Sequence, residues 1–372
     1  MSDKHKINHM YDRLQVVEPD GRTFTDEERL GQISRPLLIW YEERARILPW
    51  REDPAPYRVW ISEIMLQQTR VEAVKPYFER FMEALPEVKD LAEVQEDRLL
   101  KLWEGLGYYN RARNLQKAAR TVVESYHGEL PSDREELMSL PGIGSYTAGA
   151  IASIAYGVPV PAVDGNVLRV LSRVLASERD ILKPATRRWL EEILTAVIPT
   201  AKASQFNQGL IEIGAIVCIP NGQPKCPECP LASICLARIR GLICQIPVKT
   251  PKKQRKIEKR TVVLIRAGEQ LAIKKRESAG LLASLYEFPN VEGHLETDRL
   301  AAAFHLQKDE IAGIESLLPA KHIFSHVEWH MIGYRITLKH SIPEEYIAAD
   351  REALAERYSL PNAFSAYKKQ LD

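Results

Sequence analysis

Leu140-Pro141-Gly142-Ile143-Gly144-Ser145-Tyr146-Thr147 opens a stretch that runs through Pro159 and Pro161 to Val163-Asp164-Gly165-Asn166 and the apolar-periodic Val167, Leu168, Val170 and Leu171. Gly142 and Gly144 permit a tight turn and close backbone approach, so the amides opening the next helix can point outward at a phosphate oxygen. Tyr146 to Tyr156 reads as a helix of small residues, and a proline-broken loop then leads to a second helix with Asp164 at its entrance. An Asp at that place caps the helix by accepting from its free amides. The same carboxylate, held ionised by the helix terminus, is suited to face positive charge developing on a sugar. One side chain can do both. A Pro-Gly turn between helices is also ordinary punctuation, so the flanking segments must decide.

The chain has 372 residues, 45% of them apolar, which is enough for two or three domains with proper cores. Its formal net charge of +1 neither supports nor excludes nucleic acid, because DNA-binding proteins often confine positive charge to one face. No N-terminal apolar signal region and no membrane-length apolar run is present, so a cytoplasmic protein with no membrane partner is expected, nucleoid-associated if bacterial. Four of the five cysteines, Cys218, Cys226, Cys229 and Cys235, cluster in a way that points to metal ligation in a reducing compartment. Cys-x2-Cys among four clustered thiols leaves tetrahedral zinc and an iron-sulfur cluster both open. Cys244 falls outside the pattern.

Residues 1–34 are charged, poor in apolar repeats and expected to be a loosely ordered extension. A helix over 36–47 is followed by Leu48-Pro49-Trp50-Arg51, which by itself reads as a helix stop with a packed tryptophan. Next comes Tyr57 to Thr69, YRVWISEIMLQQT, whose density of Ile, Met and Leu marks an internal helix with Glu63 inside the apolar run. A Glu in a helix commonly faces solvent; buried, it would have a pKa raised towards neutrality. Helices are expected through Val74 and Phe81, around Leu91 to Leu102, and over 115–126. Before the last of these, Leu106-Gly107-Tyr108-Tyr109 breaks the helical pattern. An exposed aromatic on such a turn can wedge between bases, and a packed tyrosine pair is the competing reading.

These motifs resemble the helix-hairpin-helix superfamily of base-excision DNA glycosylases, which carry LPG-x-G followed by an Asp at the start of a later helix. The similarity is greatest to the A/G-specific (MutY-type) branch and runs from about Arg35 to the C-terminus. It implies an all-α catalytic region over 35–240, with the helix-hairpin-helix at 140–151 and an iron-sulfur loop at 218–235. A basic linker at 241–260 and a C-terminal α+β Nudix-like domain at 261–372 would complete a multi-domain chain. It further implies that Glu63 is the general acid on adenine, that Asp164 stabilises the sugar cation, and that Tyr146 and Asn166 belong to the same catalytic set. Leu48, Trp50, Arg51, Leu66 and Gln208 would surround the adenine. Gln68, Thr69, Leu106, Tyr108, Phe324, Ser325 and His326 would meet the opposing 8-oxoguanine, and Gly142 and Gly144 the DNA backbone.

The family's cysteine spacing holds a [4Fe-4S] cluster with six, two and five intervening residues; here the first gap is seven, which a bulge in 219–225 would absorb. Endonuclease III type members place a lysine at the position of Tyr146 and form a Schiff base with it, so this chain is expected to release the base without an efficient lyase step. The Tyr146 hydroxyl could reach Asp164 or the sugar, and a helix residue packed against its neighbours is an equal reading.

Between Lys249 and Arg260 seven Lys or Arg residues and one acid read as a solvated tether that can touch phosphates. A hairpin about Gly268 and strands over 285–288 and 323–338 are expected beyond it, with helices near 300–306 and at the C-terminus. The stretch after Pro289 lacks the clustered glutamates by which Nudix hydrolases hold magnesium, so this domain is expected to bind and not hydrolyse. The expected function is monofunctional removal of adenine opposite 8-oxoguanine or G in duplex DNA, by a monomer. A bifunctional glycosylase/lyase and a non-catalytic damage-binding protein are the alternatives.

Overall fold

The computed structural model describes residues 16–17, 23–251 and 254–371. By compactness the chain divides into two units, one of residues 1–82 with 118–251 and the other of 83–117 with 252–372.

Among the described residues, the regular structure of the first unit is helical apart from a two-residue pairing of β1 (Val16–Val17) with β2 (Thr23–Phe24). Its first helix, α1 (Asp26–Gly31), starts at a reciprocal cap in which Thr25 Oγ1 accepts from the Glu28 amide and Glu28 accepts from the Thr25 amide. Leu30 and Ile33 are fully buried in the main core, so the expectation of a loosely ordered extension does not hold for residues 25–34. Their apolar residues are too few to show a period but are all inward. Then follow α2 (Ser34–Arg44), α3 (Pro49–Glu52), α4 (Pro56–Leu66) and α5 (Val71–Ala84). Leu48-Pro49-Trp50-Arg51 therefore starts a short helix, with Pro49 at the first position where its missing amide costs nothing.

In the second unit α6 (Val88–Glu93) and α7 (Glu96–Leu102) are separate helices where one was expected, because the chain is extended at Val94 and Gln95. The helix α8 (Asn110–Ser125) passes from the second unit into the first. Beyond it, the first unit contains α9 (Arg134–Ser139), α10 (Ser145–Tyr156), α11 (Gly165–Val174), α12 (Pro184–Val197), α13 (Ala203–Ile216) and α14 (Leu236–Ile239). Val167, Leu168, Val170, Leu171 and Val174 of α11 pack with Leu210 and Ile213 of α13 and Leu37 of α2 in one core, as the helical period requires.

The rest of the second unit is a sheet of order β5-β4-β3-β8-β7, with β6 on β3 and β9 on β4. These strands are β3 (Lys256–Ala267), β4 (Gln270–Lys275), β5 (Tyr286–Glu287), β6 (Asn290–Glu292), β7 (Ile311–Ile323), β8 (Val327–Leu338) and β9 (Ile347–Ala349). β3 runs parallel to β8, pairing Lys256 through Arg266 with Val327 through Thr337. Alternation along β3 feeds two cores: Val262 and Leu264 join Trp329, Phe364 and Tyr367, while Val263 and Ile265 join Leu300, Phe304 and Ile336. The helices are α15 (Thr297–Ala303), α16 (Arg351–Glu356) and α17 (Ser365–Lys368). Residues 83–117 are grouped with this unit by specific bonds: Lys275 Nζ to Asp97 at 2.7 Å, the Tyr286 hydroxyl to Asp97 at 3.0 Å, and Ser359 Oγ to the Leu100 carbonyl at 3.1 Å. The expected tether is also shorter than 241–260, since β3 begins at Lys256 and residues 248–250 are bonded to the first unit.

Candidate active site

A cavity of 1270 Å³ in the first unit is lined by Leu48, Trp50, Arg51, Glu63, Leu66, Gln68, Thr69, Gly144, Tyr146, Asp164, Asn166 and Gln208. Residues from five segments thus converge, including the whole set expected to carry catalysis and to hold the base.

Glu63 sits on the buried face of α4 between Ile61 and Ile64 and is 7% exposed. Burial pushes its carboxyl up to about 7, with Asp164 adding to the rise and a hydrogen bond from Tyr146 opposing it. That bond runs from the Tyr146 hydroxyl to Glu63 Oε2 at 2.5 Å, a partner outside the readings left open from sequence, which were Asp164, the sugar and its helix neighbours. Burial, reinforced by Glu63 and Asp164, raises the phenol well above its usual value, which keeps it a proton-bearing donor.

Asp164 is the N-cap of α11, accepting from the amides of Asn166 at 2.8 Å and Val167 at 2.7 Å through Oδ1. Its Oδ2 accepts from Asn166 Nδ2 at 2.7 Å. Burial raises its pKa, and these three bonds with Arg169 work against the rise. Both anticipated roles, cap and cavity-facing acid, are open to it. Arg169 then ties this loop to the cysteine region: Nη2 donates to Asn166 Oδ1 at 2.9 Å and the Gly214 carbonyl at 2.7 Å, and Nε to the Cys218 carbonyl at 2.8 Å. Gly214 is needed there, because a Cβ would lie 2.5 Å from Asn166 Cβ.

Glu212 was not singled out from sequence. It is fully buried in α13, lines the cavity and takes a fork from Arg46, Nε at 2.7 Å and Nη2 at 2.9 Å, with Arg51 Nη2 at 2.8 Å. Burial would raise its carboxyl, but the two guanidiniums hold it at about 2. Arg51, anticipated at the base pocket, is thereby fixed in the wall. Trp50 packs edge-on against Phe78 at 5.3 Å, so the readings of packed tryptophan and cavity wall coexist. Gln208 Nε2 donates to Ser204 Oγ at 3.1 Å. Two residues beyond the end of α4, Gln68 has φ at 61°, a left-handed conformation on the cavity lining.

Gly142 has φ at 81°, and Gly144 is the N-cap of α10 with no atom within 4 Å of an added Cβ. The turn needs a glycine at 142; the surroundings leave open space at 144.

In the second unit, Tyr108 is 48% exposed with φ at 50°, and its hydroxyl is 3.3 Å from Ser325 Oγ. Phe324, Ser325 and His326 form the turn between β7 and β8 and not the start of a strand. Phe324 packs edge-on against Trp329 at 4.9 Å, while Ser325 and His326 are exposed. Leu106 is buried, its carbonyl accepting from Arg111.

Cys218, Cys226, Cys229 and Cys235 line one small pocket. Among the described residues no group of three or more His, Cys, Asp or Glu side chains is gathered tightly enough for a single metal ion. Burial, with the other three thiols nearby, pushes Cys229 up to about 12. Arg173 Nη1 lies 3.2 Å from Cys218 Sγ.

Residues 61–196 match the HhH-GPD superfamily of base excision DNA repair proteins, and residues 260–370 match the NUDIX domain. The adenine DNA glycosylase of Homo sapiens is 34% identical over 393 residues, covering 89% of this chain and 71% of that protein. That of Buchnera aphidicola from Schizaphis graminum is 34% identical over 306 residues, covering 82% of this chain and 87% of its own. The chain belongs to the adenine DNA glycosylase family. It is a DNA glycosylase whose helical region shares its fold with two solved structures. A thermostable thymine-DNA glycosylase matches with a TM-score of 0.51 at 27% identity, over 58% of this chain and 97% of that one. A non-covalent endonuclease III–DNA complex matches with a TM-score of 0.50 at 28% identity, over 59% of this chain and 99% of that one. Among the described residues no helix is long and apolar enough to cross a membrane.

Proposed function

We propose that this member of the adenine DNA glycosylase family hydrolyses the N-glycosidic bond of adenine opposite 8-oxoguanine or G in duplex DNA, leaving an abasic site. The observation that carries the reading is that Glu63, with its carboxyl near 7, and the helix-capping Asp164 line one cavity. The adenine, turned out of the duplex, enters between Leu48, Trp50, Arg51, Leu66 and Gln208. Glu63 gives its proton to a purine ring nitrogen as the bond to C1′ breaks, so the base leaves neutral. Asp164 faces the cationic sugar; water adds at C1′ and its proton passes to solvent or back to Glu63. Asn166 and Tyr146 hold the two carboxylates. With tyrosine at 146 in place of an amine, no Schiff base forms there, so the enzyme works as a monofunctional glycosylase.

In the second unit Tyr108, Ser325, Phe324 and His326 meet the opposing purine: an exposed ring can stack, and the hydroxyl pair can bond a purine edge. Gly142 and Gly144 leave backbone amides at the start of α10 for a phosphate. For the cysteine pocket, four thiols, one buried and three half-buried, beside the Arg173 guanidinium suit an anionic thiolate-held centre, and we assign Cys218, Cys226, Cys229 and Cys235 to a [4Fe-4S] cluster. Bound, it would fix the 218–235 loop against α11 and α13.

Single-turnover assays on A opposite 8-oxoguanine, G and T, with neutral and alkaline work-up, test the reading. Base release in the order 8-oxoguanine, G, T, with strand breaks only after alkali, is expected. Breaks at neutral pH with a borohydride-trapped adduct would move the chain to the bifunctional class, and equal rates on all three would remove the opposing-base reading.

A further inference from the structure

A second cavity, of 490 Å³, adjoins the first and shares Asp164, Gly165, Asn166 and Arg187 with its lining. The rest of its polar wall is cationic: Lys183, Arg169 and Lys249 join Arg187, against the single acid Asp164. These charges come from separate segments. Lys183 is the N-cap of α12, whose first amides receive no side-chain cap; Arg187 lies one turn into that helix; Lys249 belongs to the segment after α14. That segment is bonded in place. The Ile181 amide donates to the Val248 carbonyl at 3.1 Å, and the Thr250 amide and hydroxyl both donate to Asp180 Oδ2, the amide at 3.2 Å. Asp180, an acid on which the charge of Lys183 also acts, is further occupied by the Leu182 amide at 2.9 Å. Neither Lys183 nor Lys249 forms an ion pair with a described residue.

We propose that this groove binds a backbone phosphate of the strand carrying the adenine, next to the target sugar. The inference rests on the placement of that sugar at Asp164. A strand whose sugar touches Asp164 must bring its flanking phosphates within a few ångströms of a carboxylate, and that repulsion has to be offset by cations on the same side. The groove begins at Asp164 and supplies them, with Lys183 at the N-terminus of a 14-residue helix and Arg187 one turn further along it. It explains why the segment carrying Lys249 is strapped down when a free tether would reach DNA anyway. The positive charge draws the strand in on one side of Asp164 and leaves the other side to the base cavity.

The test uses the full chain and a duplex carrying a tetrahydrofuran abasic analogue opposite G, which cannot turn over. Single methylphosphonates neutralise, one at a time, the three phosphates on each side of the lesion and those facing them on the other strand. Binding is read by fluorescence anisotropy for the parent protein, Lys183→Ala, Lys249→Ala, and Lys202→Ala as control, since Lys202 pairs with Glu42 at 2.7 Å away from the groove. Lys183→Ala and Lys249→Ala should each weaken binding about tenfold and lower the salt slope by about one. In both variants the penalty for neutralising one particular phosphate of the lesion strand should vanish, while Lys202→Ala keeps it. Additive penalties at every lesion-strand position, or coupling only to the opposite strand, would overturn the proposal. If Lys183→Ala does not fold, Lys249→Ala on the strap gives the same reading alone. Base release by the parent protein from unmodified A opposite G is run alongside: its absence would sink the glycosidic mechanism, whereas release without coupling would sink only the groove.

Discussion

Replacing Tyr146 by Phe removes one atom from the site and should move the pH dependence of base release upward. The Tyr146 hydroxyl bonds Glu63 Oε2 and so favours the ionised carboxylate, against burial, which favours the acid. A hydrogen bond to a charged acceptor contributes about 1.5–3 kcal/mol, and one pH unit corresponds to about 1.4 kcal/mol. Losing the donor should therefore lift the Glu63 carboxyl from about 7 by roughly one to two units. If the proton on Glu63 is the one delivered to adenine, the parent enzyme loses activity as pH rises through about 7, because the acid form disappears. In Tyr146→Phe the alkaline limb should fall at about 8–9, whatever happens to the plateau rate. The assay is single-turnover base release between pH 5 and 10, with excess enzyme to remove binding from the profile. The phenyl ring preserves the packing of α10. An inflection that stays put or moves down would show that the tyrosine does not act through Glu63, or that Glu63 is not the titrating acid.

Glu212→Gln leaves Arg46 and Arg51 without their shared carboxylate, so a loss of about 3–5 kcal/mol of stability is expected in denaturant titration; near-neutral stability would mean that water replaces the pair. Arg169→Gln frees Asn166 and with it Asp164, and should slow base release about tenfold to a hundredfold, from the loss of charge-assisted bonds, with a smaller effect on DNA affinity; an equal loss in both would point to general unfolding of the loop. Tyr108→Gly relieves a left-handed tyrosine and should raise stability by about 1 kcal/mol while reducing discrimination between 8-oxoguanine and G in the opposing strand; unchanged discrimination would assign the ring to packing.

How far the site could be read beforehand follows from the range of the interactions. Asp164 was legible because capping is local: an acid before an apolar-periodic helix needs only its next three residues. Glu63 was legible because it falls in a motif of the family the chain resembles; on the apolar run alone, a Glu in a helix commonly faces solvent. Glu212, by contrast, stands in a segment where a Glu between isoleucines reads as one exposed position of an amphipathic helix. Its meaning depends on Arg46 and Arg51, more than 160 residues away, and no local pattern announces such a partner. Strand β7 escaped for another reason. It is an edge strand with mostly exposed side chains and two register shifts, so it lacks the alternation that marks a half-buried strand. The partner of Tyr146 stayed open between Asp164, the sugar and its helix neighbours, because helix spacing gives the face of a residue and not which group its hydroxyl reaches; the hydroxyl bonds Glu63.

The most direct measurement of the central claim is single-turnover adenine release by Glu63→Gln and Asp164→Asn beside the parent enzyme, with duplex binding measured on the same preparations. The account predicts that each variant still binds DNA and retains its fold while base release falls by about 10² to 10⁴ or more. Release at the parent rate by either variant would contradict it.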